Sequence, residues 1–398
     1  MSNRFGAVAL VCVLLGVVGC SHQAPVAQRL ERKGDEIVVA GQLYHTGAPV
    51  VTWMDPGGFD AYRSERRFAP MEQASFLATT RAAAETKQRT GKAASFADIE
   101  QPERLDLRRR VLTTQQAEKF RGGGWDLKSL QDKVDQFVYH FDVTGTSSQC
   151  FFILHDVRGL SVHFMCDVDG TIYQTCDVKE RAWHATDSNP RSIGIEIANI
   201  GAYSPGGREN PLPQWYRKNE QGRTQVVLPA YVMKQNIRKP GPYYPSRNEK
   251  VTGTIQQQNL EMYDLTDAQY DSLTKLTATL CSVLPKITCD YPREPDGKVV
   301  NHVLTQSQWE NYQGLMGHFH VQNDKSDPGP AFNFERIRAG AWKLMSSAAK
   351  NANSAAKGNP VRFVEVPTTQ PSSASARRKR QPLRPKTWPP TTQVSDAQ

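Results

Sequence analysis

Long hydrophobic runs are scarce in this chain. The one at the start, FGAVALVCVLLGVVG, ends at Cys20 and is too short to span a bilayer comfortably, which argues against a membrane-spanning body. An excess of one charge is also missing from most of the molecule. The formal net charge is +9, but residues 346–398 hold nine Lys or Arg against Glu365 and Asp396, so seven of those charges belong to a tail. A nucleic-acid role would rest on that tail alone, and no nucleic-acid partner is expected. Cysteines are few, and beyond Cys12 and Cys20 they are odd in number: Cys150, Cys166, Cys176, Cys281 and Cys289. Five cannot all pair. Cys281 and Cys289 flank a helix end and Pro285 and are placed for a local disulfide; Cys166 and Cys176 lie across a hairpin out of opposed register. Large apolar residues are sparse from 69 to 102, which reads as helix or tether. They lack any period after about 345, where a Pro-rich basic tail is expected to be disordered.

What is present begins with Arg4, the apolar run and small residues before Cys20, the pattern of an export signal. VVGC resembles the bacterial lipobox, so Cys20 is expected to carry lipid and to anchor an exported protein to a membrane of the cell envelope. The cluster ARRKR in the tail then faces anionic envelope polymers or lipid headgroups. The organisation read from this is a signal at 1–20, an extension at 21–104, a main domain at 105–345 with an insertion at 203–258, and a tail at 346–398.

The main domain reads as a mixed α/β (α+β) fold, a central sheet flanked by helices. EIVVAGQLYHTGAPVVTWMD gives one or two strands before a Pro56-Gly57-Gly58 turn, with His45 on the surface or packed. LTTQQAEKFRGGGWDLKSL is a helix, a glycine break and a second helix. QFVYHFDV is a buried strand carrying His140. SSQCFFILHDVRGL is an amphipathic helix capped at Gly159, and LSVHFMCDVDGTIYQTCD is a hairpin turning at Asp169-Gly170. SIGIEIANIG alternates strictly, with Ile193, Ile195 and Ile197 on one face and Gly194, Glu196 and Ala198 on the other. A carboxylate between two small residues on a central strand is costly unless paired or functional. LTDAQYDSLTKLTATLCSVL is a helix with Thr266 and Gln269 as a capping box and Leu273, Leu276, Leu280 and Leu284 on one face. FERIRAGAWKLM is the last helix.

GHFHVQNDKSDPGPAF, from Gly317 to Phe332, places two imidazoles, a lysine and an aspartate within ten residues and runs into Pro-Gly-Pro. Asp327-Pro328 resists helix, which would set the aspartate on a fixed loop. His140, His318 and Asp327 make a three-ligand set suited to one zinc ion with a fourth position left for water. His320 is a competing imidazole for His318. Glu196 can take a proton from that water as general base, and Lys325 can hold an oxyanion.

In this order, VYHFD, GLSVHFMCDVDGTIYQ, ERAWHA, SIGIEIAN and GHFHVQNDKSDPGPAF resemble the zinc N-acetylmuramoyl-L-alanine amidases of the type-2 family, relatives of the peptidoglycan recognition proteins. The resemblance covers about Leu130 to Leu344. It implies a mixed sheet with flanking helices, metal ligands at His140, His318 and Asp327, catalytic Glu196 and Lys325, and peptidoglycan or muropeptides as substrate. It further implies His184 as a substrate-binding residue and Asn199 as part of the cleft wall, with His163 bracing the hairpin. The alternative from a different class is a non-catalytic peptidoglycan-binding receptor, which typically lacks a metal ligand; a zinc peptidase acting elsewhere on the stem peptide is a third reading.

Overall fold

A computed structural model describes residues 31–64, 105–106, 126–158 and 160–358. The signal, Cys20, most of the 21–104 extension, the helix before the glycine break, Gly159 and the tail from 359 lie outside the described residues. The strands are β1 (Glu36–Val39), β2 (Gln42–His45), β3 (Val50–Thr52), β4 (Leu105–Asp106), β5 (Gln136–Phe141), β6 (Phe164–Cys166) and β7 (Ile172–Gln174). They continue with β8 (Arg181–Ala182), β9 (Ser192–Ile197), β10 (Tyr216–Lys218), β11 (Thr224–Val226), β12 (Val251–Ile255), β13 (Gln258–Met262) and β14 (Gly314–Gly317). The α-helices are α1 (Leu127–Gln131), α2 (Ser147–Phe151), α3 (Leu212–Trp215), α4 (Asp267–Val283), α5 (Gln306–Asn311) and α6 (Phe334–Gly358).

Six strands form a mixed central sheet in the order β14-β5-β9-β6-β7-β3. β14, β5, β9 and β6 run parallel, β7 is antiparallel to β6, and β3 closes the edge parallel to β7. β5 and β9 are covered on both faces, which is why QFVYHF and SIGIEI read as near-continuous apolar runs. One cover is α4, whose capping box at Thr266 and Gln269 forms as the sequence implied. Leu273, Leu276, Leu280 and Leu284 are fully buried with Phe137, Tyr139, Phe332 and Ile337. Tyr139 hydroxyl meets Thr277 Oγ1 at 2.7 Å, so the largest side chain on that face is also satisfied.

The first strand-forming stretch holds three strands rather than one or two. β1 and β2 make their own hairpin, while β3 completes the edge of the main sheet. The helix expected over SSQCFFILHDVRGL is an α-turn, α2, that widens into a π-helix over Phe152–Val157, closed by Arg158 N–H donating to Ile153 O at 2.9 Å. α6 runs on to Gly358, so the segment 346–358, expected to be disordered, is helical: Ala-rich sequence favours helix without any apolar period. The five cysteines are free thiols. Hydrogen bonding to Cys289 and burial both push the Cys281 thiol up, so the expected bridge stands as two adjoining thiols.

Candidate active site

Sheet register builds the site. β14, β5 and β9 are adjacent parallel strands, with Gly317 opposite Tyr139 and His140 opposite Glu196. His318 follows the last residue of β14, so His318, His140 and Glu196 line up at the carboxyl ends of three neighbouring parallel strands, where open α/β sheets hold ligands. The loop after His318 folds back through Phe319 N–H donating to Asp327 O at 3.1 Å and Gly329 N–H donating to Ser326 O at 2.9 Å. That return brings Asp327 to the two imidazoles.

His140 Nδ1 lies 2.8 Å from Asp327 Oδ2 and 3.0 Å from His318 Nδ1, and His318 Nδ1 lies 3.0 Å from the same Oδ2. The outward nitrogens are engaged elsewhere: His318 Nε2 with Gln322 Oε1 at 2.7 Å, and His140 Nε2 with His184 Nδ1 at 3.0 Å. An amide oxygen only accepts, so it can take a hydrogen from His318 Nε2, the tautomer that would leave Nδ1 as a lone pair for a metal. Burial and His318 lower the pKa of His140 to about 4, which keeps it neutral at pH 7. Burial alone would raise the Asp327 carboxyl, but His318 and His140 outweigh it and hold the group well below the usual carboxylate range. An anion and lone pairs converging at these distances fit a cation. Ligands held about 2.0–2.1 Å from zinc stand about 3.3 Å apart, close to what is present.

The trio opens on a cleft of about 430 Å³ whose walls include Glu196, Arg158, Trp183, His184, Lys325 and the apolar Ile153, Leu154 and Leu160. Burial, followed by the charges of Asp327 and Asp142, pushes the Glu196 carboxyl well above its ordinary range, with Arg158 opposing. A doubly charged cation at the trio would act in the opposite sense, towards the ionised base. Lys325 is half-exposed at the rim, 3.2 Å from Asp324.

The profile of the N-acetylmuramoyl-L-alanine amidases matches residues 130–330, just over half of the chain and the stretch that carries every residue of this site. The chain belongs to that family. Its activity is hydrolysis of the amide between N-acetylmuramic acid and L-alanine, a peptidoglycan hydrolase reaction. Solved structures similar to this amidase include a selenomethionine derivative of AmpD, at 17% identity over 53% of this chain and 86% of that one, with TM-score 0.28. The endolysin amidase LysCS from Clostridium intestinale URNW matches at 20% identity over 54% and 86%, TM-score 0.28. AmiD from E. coli, in complex with the substrate anhydro-N-acetylmuramic acid-L-Ala-D-gamma-Glu-L-Lys, matches at 17% identity over 52% and 57%, TM-score 0.27. No curated protein matches the chain.

Two residues named from the sequence, Asn199 and His320, take other places in the structure. Asn199 is not on the cleft wall. β9 ends at Ile197, and the Asn199 side chain is spent away from the cleft, donating to Tyr263 O just after β13 at 3.2 Å and accepting from Gly201 N–H of its own loop at 2.9 Å. His320 does not compete with His318: its ring accepts from Gly317 N–H at 2.9 Å and meets Val300 O at 2.7 Å, on the far side of the turn. The 203–258 insertion contributes no lining residue. It braces the wall from behind through Trp215, seated where a side chain on Gly145 would be, and through Met233 O, which accepts from Thr146 Oγ1 at 2.7 Å. His163 braces as expected, accepting from Gly194 N–H at 3.1 Å and meeting Glu180 O at 2.9 Å. The roles of Gln322, Ser192 and Arg158 are not evident from the sequence; Gln322, one helical turn after His318, is the one that spacing could have found.

Asp167 gives a pH test remote from the trio. Its Oδ2 is buried without a hydrogen-bond partner, and burial, with Asp169 and Asp142 adding, raises its pKa to about 7. The folded protein therefore holds a proton there that the unfolded chain releases above pH 3.8. Relative to Asp167→Asn, the wild type loses stability as pH rises from about 4 to 7. The advantage of Asp167→Asn in urea denaturation should grow by about 2–4 kcal/mol between pH 4 and pH 8.

Proposed function

We propose that this amidase is zinc-dependent, with His140, His318 and Asp327 as the metal's protein ligands and Glu196 as general base. The observation that carries the reading is the convergence of two imidazole nitrogens and an ionised carboxylate within 3.0 Å, at the floor of a cleft shared with Glu196. Zinc bound there supplies Lewis acidity, polarising a carbonyl and lowering the pKa of water. Glu196 takes the proton of the attacking water and passes it to the departing nitrogen of L-alanine as the C–N bond breaks. Lys325 donates an N–H to the oxygen on which charge develops. The apolar wall of Ile153, Leu154 and Leu160 limits water around that exchange. A receptor that only binds would be expected to have lost a ligand; His140, His318, Asp327 and Glu196 are all in place.

The remaining elements of the proposal come from the sequence: export, a lipid on Cys20 that holds the enzyme at a membrane of the cell envelope, and a basic tail against anionic envelope polymers. The substrate class is peptidoglycan or its muropeptides. A digest of purified peptidoglycan, read by mass spectrometry, tests the reading. Stem peptides with a free L-alanine amine, formed only when zinc is present, are the expected product; cleavage between other residues of the stem would replace the reading with that of a zinc peptidase.

A further inference from the structure

We propose that His184 is a positioning residue for the metal-binding imidazole of His140, held in place by Ser192 and by the space that Gly194 leaves, and not a substrate contact. This rests on the reading of the trio as a zinc site. The two imidazoles of that trio are steadied in different ways. His318 has an amide oxygen behind it, which can only accept a hydrogen bond and so suits the tautomer with Nδ1 bare. His140 has another imidazole behind it, and an imidazole nitrogen can give or take.

For Nδ1 of His140 to be bare, Nε2 must carry the hydrogen and donate to His184 Nδ1, 3.0 Å away. His184 must then carry its own hydrogen on Nε2, which faces Ser192 Oγ at 3.3 Å, an atom able to accept it. The ring stands edge-on to His140, at 90° with centroids 5.2 Å apart, the orientation that aims one ring's nitrogen at the other's. Both nitrogens of His184 are thus engaged inside the protein, although the ring borders the cleft.

β9 supplies the remaining parts. Ser192, Gly194 and Glu196 share one face of the strand, because alternate residues point the same way. A Cβ at Gly194 would fall 2.5 Å from His184 Nδ1, the atom that receives the hydrogen bond. One strand face therefore offers an anchor for His184, the slot that admits its ring, and the catalytic carboxylate two residues on. The loop that carries His184 does not depend on its imidazole: Asn189 Oδ1 accepts from the backbone N–H of His184 at 3.0 Å and of Ala185 at 2.6 Å.

Partners of this kind change metal affinity by about 10–100-fold when removed. The test titrates the full chain with zinc against a competing chelator and records the visible spectrum of the cobalt(II) form. It compares wild type with His184→Ala, Ser192→Ala and Gly194→Ala, and adds free imidazole to His184→Gly. The expected result is a zinc Kd raised about 10–100-fold in His184→Ala and in Gly194→Ala, and raised less in Ser192→Ala. It also includes altered cobalt bands, recovery with imidazole, and melting of the metal-free His184→Ala and Ser192→Ala proteins near that of wild type. Wild-type affinity and an unchanged cobalt spectrum in both His184→Ala and Gly194→Ala, with a raised KM alone, would return His184 to the substrate and overturn the proposal. A wild-type chain that takes up no zinc overturns the metal reading itself, and that titration is read first.

Discussion

Glu196→Gln should lower kcat about a hundred- to ten-thousand-fold while zinc affinity and melting temperature stay level. The substitution keeps the shape of the side chain and removes its ability to take a proton. Glu196 is buried on the strand beside His140, and that burial, with Asp327 and Asp142, already presses the carboxyl towards its neutral form. An amide there relieves a strained charge, so the fold has no reason to weaken. The pH–rate profile should separate this from a packing effect: the acidic limb that reports ionisation of the base is expected to vanish in the variant. A variant that retains wild-type kcat would remove Glu196 from the chemistry, whatever its position in the cleft.

Stripping the metal should be as severe. Several kcal/mol of transition-state stabilisation come from a metal that polarises the carbonyl, and about 4 kcal/mol corresponds to roughly a thousandfold in rate. Dialysis against a chelator is expected to abolish turnover, and one equivalent of zinc to restore it. Asp327→Ala should lose activity that added zinc does not recover, because the loop that returns at Asp327 supplies the one anionic group of the proposed ligand set. A metal held more tightly by the folded chain than by the unfolded one adds to stability, so chelation should also lower the melting temperature of the wild type, while Asp327→Ala should show no further fall.

Much of this site is legible in the amino-acid sequence, and the reasons are local. Strict alternation in SIGIEI sets which face Glu196 occupies, and QFVYHF marks the neighbouring buried strand; a parallel register then sets His140 opposite Glu196. The capping box of α4 is readable because it is a matter of four residues. What fails lies beyond the ends of regular elements. The resemblance alone places Asn199 on the cleft wall: continued alternation would set it with Ile193, Ile195 and Ile197, away from Glu196, and in any case the strand ends at Ile197 and the chain turns at Gly201 with φ +99. The space over Gly194, beside Glu196 on the strand, is filled by the His184 ring, which comes from a loop outside that strand and leaves no mark in the alternation. The helical course of α6 past 345 gives no signal, since alanine favours helix without an apolar stripe.

In the proposed site His140, His318 and Asp327 hold one zinc ion. The most direct measurement is anomalous diffraction at the zinc edge from crystals of the zinc-loaded protein. The predicted result is a single peak about 2.0–2.2 Å from His140 Nδ1, His318 Nδ1 and Asp327 Oδ2. The second grouping of possible ligands among the described residues, Asp35, Glu36 and His45 on the β1–β2 hairpin, supplies the contrary outcome. A peak there, with none between His140, His318 and Asp327, would contradict the account.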